Sequence, residues 1–381
     1  MGDGGSGSLL EALPGQDAVR TYLTNAFASG RVGQSYLFYG GAGPDRVAGA
    51  YALAQGVVCP SGGETGACGA CDDCERVARR AHPDVSLLEP ESAQGYLMAQ
   101  VRALIEDSQM APIRAKKKVY IVDNADKMGA SAANALLKSI EEPPESTVFV
   151  LLAPSVGAIL PTIVSRCQTV RFGAVPPKRS LELVSEKLGL TENVCRRAVG
   201  CCPSTVQAME LLASPKRTEA RRAMLECFDR LPSSDGADVI SLAKSAVEAA
   251  RAPLEELKED QATVTAESAK VLSDAAMREL EGRQKRELSA AERSGIMEQL
   301  GAARSLLRDA LLIAVGSDEP ISCDDFERAV RLYASVLSTD RLPGALQAVD
   351  ETAERIQRNV TPQLAYEAML LTIKGMITCR P

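Results

Sequence analysis

Five short apolar runs alternate with stretches of helical spacing across the first half of the chain, and this alternation constrains the fold more than any other feature. The runs are residues 35–39 (SYLFY), 85–88 (VSLL), 119–122 (VYIV), 148–152 (VFVLL) and 169–172 (TVRF). After the first, a helix begins near Asp45 and carries Val47, Tyr51, Leu53 and Ala54; after the second, Val101, Leu104 and Ile105 mark a helix over 98–110. After the third, Leu136, Leu137 and Ile140 form an apolar face, with Ser131 as the expected cap and Pro143-Pro144 as the stop. Strands alternating with helices predict a parallel, right-handed α/β sheet of about five strands. Pro161–Val164 reads as extended. Past Pro176-Pro177 the strand signals fade, and residues 178–240 read as a small helical domain. Residues 250–315, with LKEDQ and RELEGRQKREL, predict long charged helices in a protruding hairpin, and amphipathic helices continue to about Ile377.

A length of 381 residues exceeds one ordinary core, so two or three domains are expected. The expected division is a flexible tail over 1–13, a nucleotide-binding-like domain over 14–175, a helical lid over 176–245 and a helical C-terminal domain over 246–381. A net charge of −7, 4% aromatic residues and no Trp argue against a chain that wraps DNA or stacks bases by itself. No run approaches the roughly 20 apolar residues of a membrane span. The start, Met1 to Ser8, is Gly/Ser-rich without a charged-then-apolar leader pattern, so a cytoplasmic location is expected. There the eleven cysteines should be unpaired.

Four of those cysteines interrupt the α/β pattern. Cys59, Cys68, Cys71 and Cys74 have the spacing C-x8-C-x2-C-x2-C, which brings four thiols to one tetrahedral ion. Structural Zn2+ is the expected occupant, with an iron–sulfur cluster as the alternative. Gly66 and Gly69 permit tight turns round the metal, and His82 reads as a turn residue outside it. Six others (Cys195, Cys201, Cys202, Cys227, Cys323, Cys379) read as small core residues.

The first strand leads into a glycine turn that resembles a phosphate loop without its working groups. On the template G-x-x-x-x-G-K-[ST], Gly40 opens the motif and Gly43 lies within it, while Asp45 replaces the last glycine, Arg46 the lysine and Val47 the hydroxyl residue. Val47 cannot ligate a metal. Asp45 adds a negative charge where phosphate would come, a repulsion of about 4 kcal/mol at ~4 Å in an effective dielectric of 20; at a helix N-terminus it can instead take over the stabilising role of a bound anion. Strand 119–122 ends in Asp123, which can hold magnesium, but Asn124 follows where a glutamate base would orient water. ATP should be neither hydrolysed nor bound.

The run VYIVDNADKMGASAANALLKSIEEPPESTVFVLLA…ILPTIVSRCQTVRF resembles the AAA+ (RecA-like) clamp-loader module of bacterial DNA polymerase III, closely over residues 14–175 and in outline beyond. The inactivated loop is most similar to the delta-prime branch of that family. The resemblance implies a parallel five-stranded sheet with an inserted zinc module, an all-α lid and an all-α collar. It also implies that Arg166, in Ser165-Arg166-Cys167, reaches the γ-phosphate bound by a neighbouring subunit. Implied partners are the motor subunits of gamma/tau type, the delta subunit, the sliding clamp, and primer-template DNA through the complex; no membrane is involved. Such a subunit has no ATPase or polymerase activity of its own within a DNA-directed DNA polymerase holoenzyme. The alternatives are an ATP-hydrolysing motor subunit, which needs Lys-Ser/Thr in the loop and Glu after Asp123, and a zinc-stabilised nucleic-acid module. The chain departs from the family at Gln34-Ser35, where His is usual, and at Pro154-Ser155. Arg114 and Lys116–Lys118 read as a solvated turn, with DNA phosphate contact as the alternative.

Overall fold

The computed structural model describes residues 8–62, 66–92, 95–268 and 274–378. All five expected strands form: β1 Ser35–Gly40, β2 Val85–Leu88, β3 Lys118–Val122, β4 Thr147–Ala153 and β5 Gln168–Phe172. They make one parallel sheet in the order β2-β3-β4-β1-β5. Between them lie α1 Asp17–Ala28, α2 Gly43–Val58, α3 Asp72–Ala78, α4 Met98–Ser108, α5 Ala130–Glu141 and the single turn α6 Pro161–Val164.

The inner strands β1, β3 and β4 are mostly apolar because both sheet faces are covered, whereas edge strand β5 buries only Val170 and Phe172. Alternate residues serve opposite faces. Tyr36, Phe38, Val119, Ile121, Val148, Val150 and Leu152 pack with Val19, Leu23 and Phe27 of α1 and Ala50, Tyr51 and Leu53 of α2. Leu37, Tyr120, Val122, Phe149 and Leu151 pack with Val101 and Leu104 of α4 and Leu136 and Ile140 of α5. Because every strand runs the same way, the loops after β1 and β3 open on one edge of the sheet, where α/β folds place their ligands.

Several local expectations are corrected. Helix α2 begins at Gly43, two residues before Asp45, with Pro44 in its first turn, where no backbone donor is needed. Gly129, not Ser131, occupies the N-cap of α5, and no side chain caps that helix. Pro161–Val164 is a helical turn and not extended, since proline is suited to a first turn. Residues 1–7 lie outside the described residues, but Leu10 and Leu13, expected in a flexible tail, are buried against the α1–α2 core.

The described chain divides into two compact units. One comprises the described residues up to Leu183 with Ser204–Val206; the other comprises Val184–Pro203 and the described residues from Gln207 onward. From here on the described residues form helices: α7 Pro177–Leu188, α8 Glu192–Cys201, α9 Thr205–Ala213, α10 Pro215–Arg230, α11 Gly236–Arg251, α12 Leu254–Ser268, α13 Asp274–Ala314, α14 Glu327–Val336, α15 Leu342–Gln357 and α16 Pro362–Thr378. The boundary expected near 245 falls within α11, and the expected hairpin is the α12–α13 pair. In this second unit Gln299 is fully buried. Its Nε2 donates to the carbonyls of Ala220 and Ala246, and its Oε1 accepts from the Tyr366 hydroxyl. One amide thus ties α10, α11, α13 and α16. Buried charges are paired as well: Arg221 forks onto Asp325, and Asp309 accepts the backbone N–H groups of Ser322 and Cys323 at 2.7 Å each. No helix of the described residues is long and apolar enough to cross a membrane.

Candidate functional site

The turn after β1 is shaped by glycine. Gly40 has φ +81°, and a Cβ there would lie 2.7 Å from the Phe172 carbonyl oxygen. Ala42 then leads into α2, whose first turn buries Asp45 and Arg46 at 2% and 6% exposure, while Val47 packs half-buried on the core. Arg46 Nη1 donates to the carbonyls of Gly40 (2.5 Å) and Gly41 (3.0 Å). The side chain standing in for the motif's lysine is therefore folded back on its own loop. Burial lowers its pKa, and the neighbouring Asp123, Asp126 and Asp45 carboxylates raise it. Its charge lies in the field of three acids while its Nη1 bonds to the loop carbonyls. Burial likewise pushes Asp45 up to about 6; the Ser204 hydroxyl, the Val206 N–H, Arg46 and Gln16 offset only part of that, and Oδ1 lacks a close hydrogen-bond partner.

Asp123 follows β3 on the same sheet edge. Asn124 adopts a left-handed conformation (φ +49°) and donates from Nδ2 to Asp123 Oδ2 at 2.7 Å. Burial raises the Asp123 pKa, opposed by the Asn124 N–H and by Arg46. The residue at the position of a catalytic base is thus a donor to the acid, not an acceptor from water. Tyr96 was not singled out from sequence, yet its hydroxyl sits on the Leu88 and Asp123 carbonyls and fixes the ends of β2 and β3. A lone loop tyrosine carries no local signal of such a role.

Arg166 lies elsewhere, just past α6 on the α5 side. Its side chain is 34% exposed; Nη2 pairs with Glu141 Oε1 at 2.5 Å, and Nη1 donates to the Thr162 carbonyl at 2.9 Å and to Ser165 Oγ at 3.2 Å. In the isolated chain, then, the guanidinium has a surface carboxylate as its partner.

The four cysteines converge. Cys59 caps the C-terminus of α2, Cys71 caps the N-terminus of α3, and Cys74 is buried within α3. Their sulfurs all lie within 4.8 Å of one another, with 3.6 Å between Cys59 and Cys68 and 3.9 Å for both Cys59–Cys71 and Cys68–Cys74. A tetrahedron with metal–sulfur bonds of about 2.3 Å has edges of about 3.8 Å, so the donor set fits one four-coordinate ion. Gly66 and Gly69 take positive φ in the turns, as expected. Cys195, Cys201, Cys227 and Cys323 are buried and Cys202 is half-buried; Cys379 lies outside the described residues.

Beside this centre the basic stretch is half neutralised. Arg114 pairs with Asp72 and Asp73, and Lys118 pairs with Asp107 at 2.9 Å, whereas Lys116 is exposed and Lys117 half-buried. His82, 1% exposed, accepts the Asp84 N–H at Nδ1 and turns Nε2 towards Asp73. It is not among the converging sulfurs.

Comparison with known proteins finds similarity over much of the chain. Residues 15–176 match the family described as DNA polymerase III, delta subunit. The delta' subunit of Bacillus subtilis DNA polymerase III is 32% identical over 221 residues, covering 58% of this chain and 66% of that protein. The Pseudomonas aeruginosa delta' subunit is 40% identical over 134 residues, covering 35% and 41%. The Escherichia coli tau subunit is 28% identical over 365 residues, covering 95% of this chain and 50% of that protein. The chain spans 66% or less of the length of each of these relatives.

Proposed function

We propose that the chain, whose residues 15–176 match the DNA polymerase III delta-subunit family, is a non-catalytic clamp-loader subunit of delta-prime type. It works in the cytoplasm beside motor subunits of gamma/tau type and a delta subunit, and it helps place the sliding clamp on primer-template DNA. It neither hydrolyses nor binds ATP. The observation that carries this is the closed loop: Arg46 is bonded to the Gly40 and Gly41 carbonyls and balances Asp45, Asp123 and Asp126. A triphosphate would have to displace that guanidinium and approach three acids. The long match to a tau subunit favours a motor, but Arg46, Val47 and Asn124 stand where a motor needs Lys, Ser/Thr and Glu.

Arg166 is the group that acts on a neighbour's nucleotide. Its pair with Glu141 is partly solvated, so it is worth about 0–1 kcal/mol and is readily exchanged for a phosphate. A guanidinium supplied in trans to a transferring phosphoryl accelerates transfer by about 10³–10⁵. The four cysteines hold structural zinc, and the C-terminal helices form the collar. The test is Arg166→Ala in the clamp loader reconstituted with its motor subunits. DNA-stimulated ATP turnover at the adjoining site falls by orders of magnitude while assembly and the thermal midpoint of the chain are kept. Unchanged turnover would remove Arg166 from the chemistry.

A further inference from the structure

We infer that the cysteine module is a positioning device for the loop joining α4 to β3, with Arg114 as the residue that transmits it. The loop, residues 109–117, carries Met110 and Ile113 at 61% and 67% exposure, so its order is not explained by burial of its own side chains. Two other anchors hold it. The first is Asp84, 2% exposed: Oδ1 accepts from the Ile113 N–H at 2.6 Å, and Oδ2 accepts from the Arg114 and Ala115 N–H groups at 2.8 Å each. Three successive backbone donors close on one carboxylate, a geometry that fixes the local backbone.

The second anchor is the Arg114 side chain. Its Nη2 meets Asp72 Oδ2 at 2.5 Å and its Nε meets Asp73 Oδ1. Asp72 and Asp73 sit between Cys71 and Cys74, in the first turn of α3, and that turn is set by Cys71, whose sulfur accepts the Cys74 N–H. Where the thiolates point therefore decides where the two carboxylates point. The anchors are themselves joined: the Asp84 N–H donates to His82 Nδ1, which leaves the His82 proton on Nε2, facing Asp73 Oδ1 at 3.4 Å. Metal, α3, His82, Asp84 and the loop make one connected chain of contacts. Without the cation the four sulfurs take up protons and lose the common centre that holds them together, so metal loss frees the start of α3 and loosens the partners of Arg114.

The inference rests on the centre holding zinc, and the experiment separates the two. Hydrogen exchange is followed by mass spectrometry on the full chain, zinc-loaded and after chelation, for the wild type and Arg114→Ala, with metal content measured in parallel. In the wild type, zinc removal speeds exchange of the 113–115 amides roughly fivefold, the equivalent of about 1 kcal/mol, and leaves the β3 and β4 amides unchanged. In zinc-loaded Arg114→Ala the same amides already exchange faster by that factor, and chelation adds little. Equal acceleration by chelation in wild type and variant, or no acceleration in zinc-loaded Arg114→Ala, overturns the coupling. The second result applies even if the chelated protein unfolds. A wild-type chain purified with intact thiols and no metal overturns the zinc assignment itself.

Discussion

Asp45 and Arg46 hold opposite charges in adjacent buried positions, and their energetics differ. A carboxylate in the first turn of a helix gains about 0.3–1 kcal/mol from the macrodipole. The rise of the Asp45 pKa to about 6 shows that burial outweighs that gain. Because the folded-state value lies above the unfolded one near 3.8, the folded protein binds the extra proton between those limits. The Asp45 contribution to stability is therefore greatest below about pH 4 and is lost as pH rises through about 6. Asp45→Asn should remove this slope and stabilise the chain at pH 7 by about 1–3 kcal/mol; urea titrations of both proteins from pH 4 to 7 measure it. Arg46→Ala acts the other way. It takes a favourable charge away from three acids and two hydrogen bonds from the loop carbonyls, at a cost of about 1–3 kcal/mol in the same titration at pH 7. Sequence alone revealed that the lysine and hydroxyl were missing. It could not reveal where Arg46 points, since a guanidinium at that position can face a phosphate or fold back, and only the approach of the loop carbonyls decides. The Arg166–Glu141 and Arg114–Asp72–Asp73 pairs were hidden for the same reason: partners tens of residues apart leave no periodic trace.

Elements were legible wherever a run of residues shared one environment. The inner strands stand out because burial on both sheet faces makes them nearly continuous apolar runs, β5 shows only the alternation of Val170 and Phe172, and Pro143-Pro144 marks the end of α5. Short elements were not legible. Helix α6 is one turn, too brief for a period to show, and α3 is built round its cysteines more than round an apolar face. For such an element the metal stands in for a core. Replacing Cys74, the buried ligand, by Ser should lower zinc content well below one ion per chain by elemental analysis, while the far-ultraviolet signal of the larger helices persists. In the helical unit, the equivalent organiser is Gln299. Gln299→Leu removes the side-chain hydrogen bonds to the Ala220 and Ala246 carbonyls and to the Tyr366 hydroxyl from a dry site, so a loss of about 1–3 kcal/mol is expected in urea unfolding.

At the scale of the whole molecule, the first unit is, on the proposed function, a nucleotide-binding architecture whose phosphate loop is occupied by its own side chains. The parallel sheet and the loops on its C-terminal edge are present, and Asp123 is kept, whereas Arg46, Val47 and Asn124 stand where the motif of a working site has Lys, Ser/Thr and Glu. Arg166 remains exposed away from that loop, held by the Glu141 carboxylate, the Thr162 carbonyl and the Ser165 hydroxyl. The measurement that bears most directly on this division of labour is calorimetric titration of the purified chain with ATP and magnesium. The account predicts no heat of binding up to millimolar nucleotide, and an unchanged thermal midpoint. Micromolar, magnesium-dependent binding, or phosphate release by the chain alone, would contradict it.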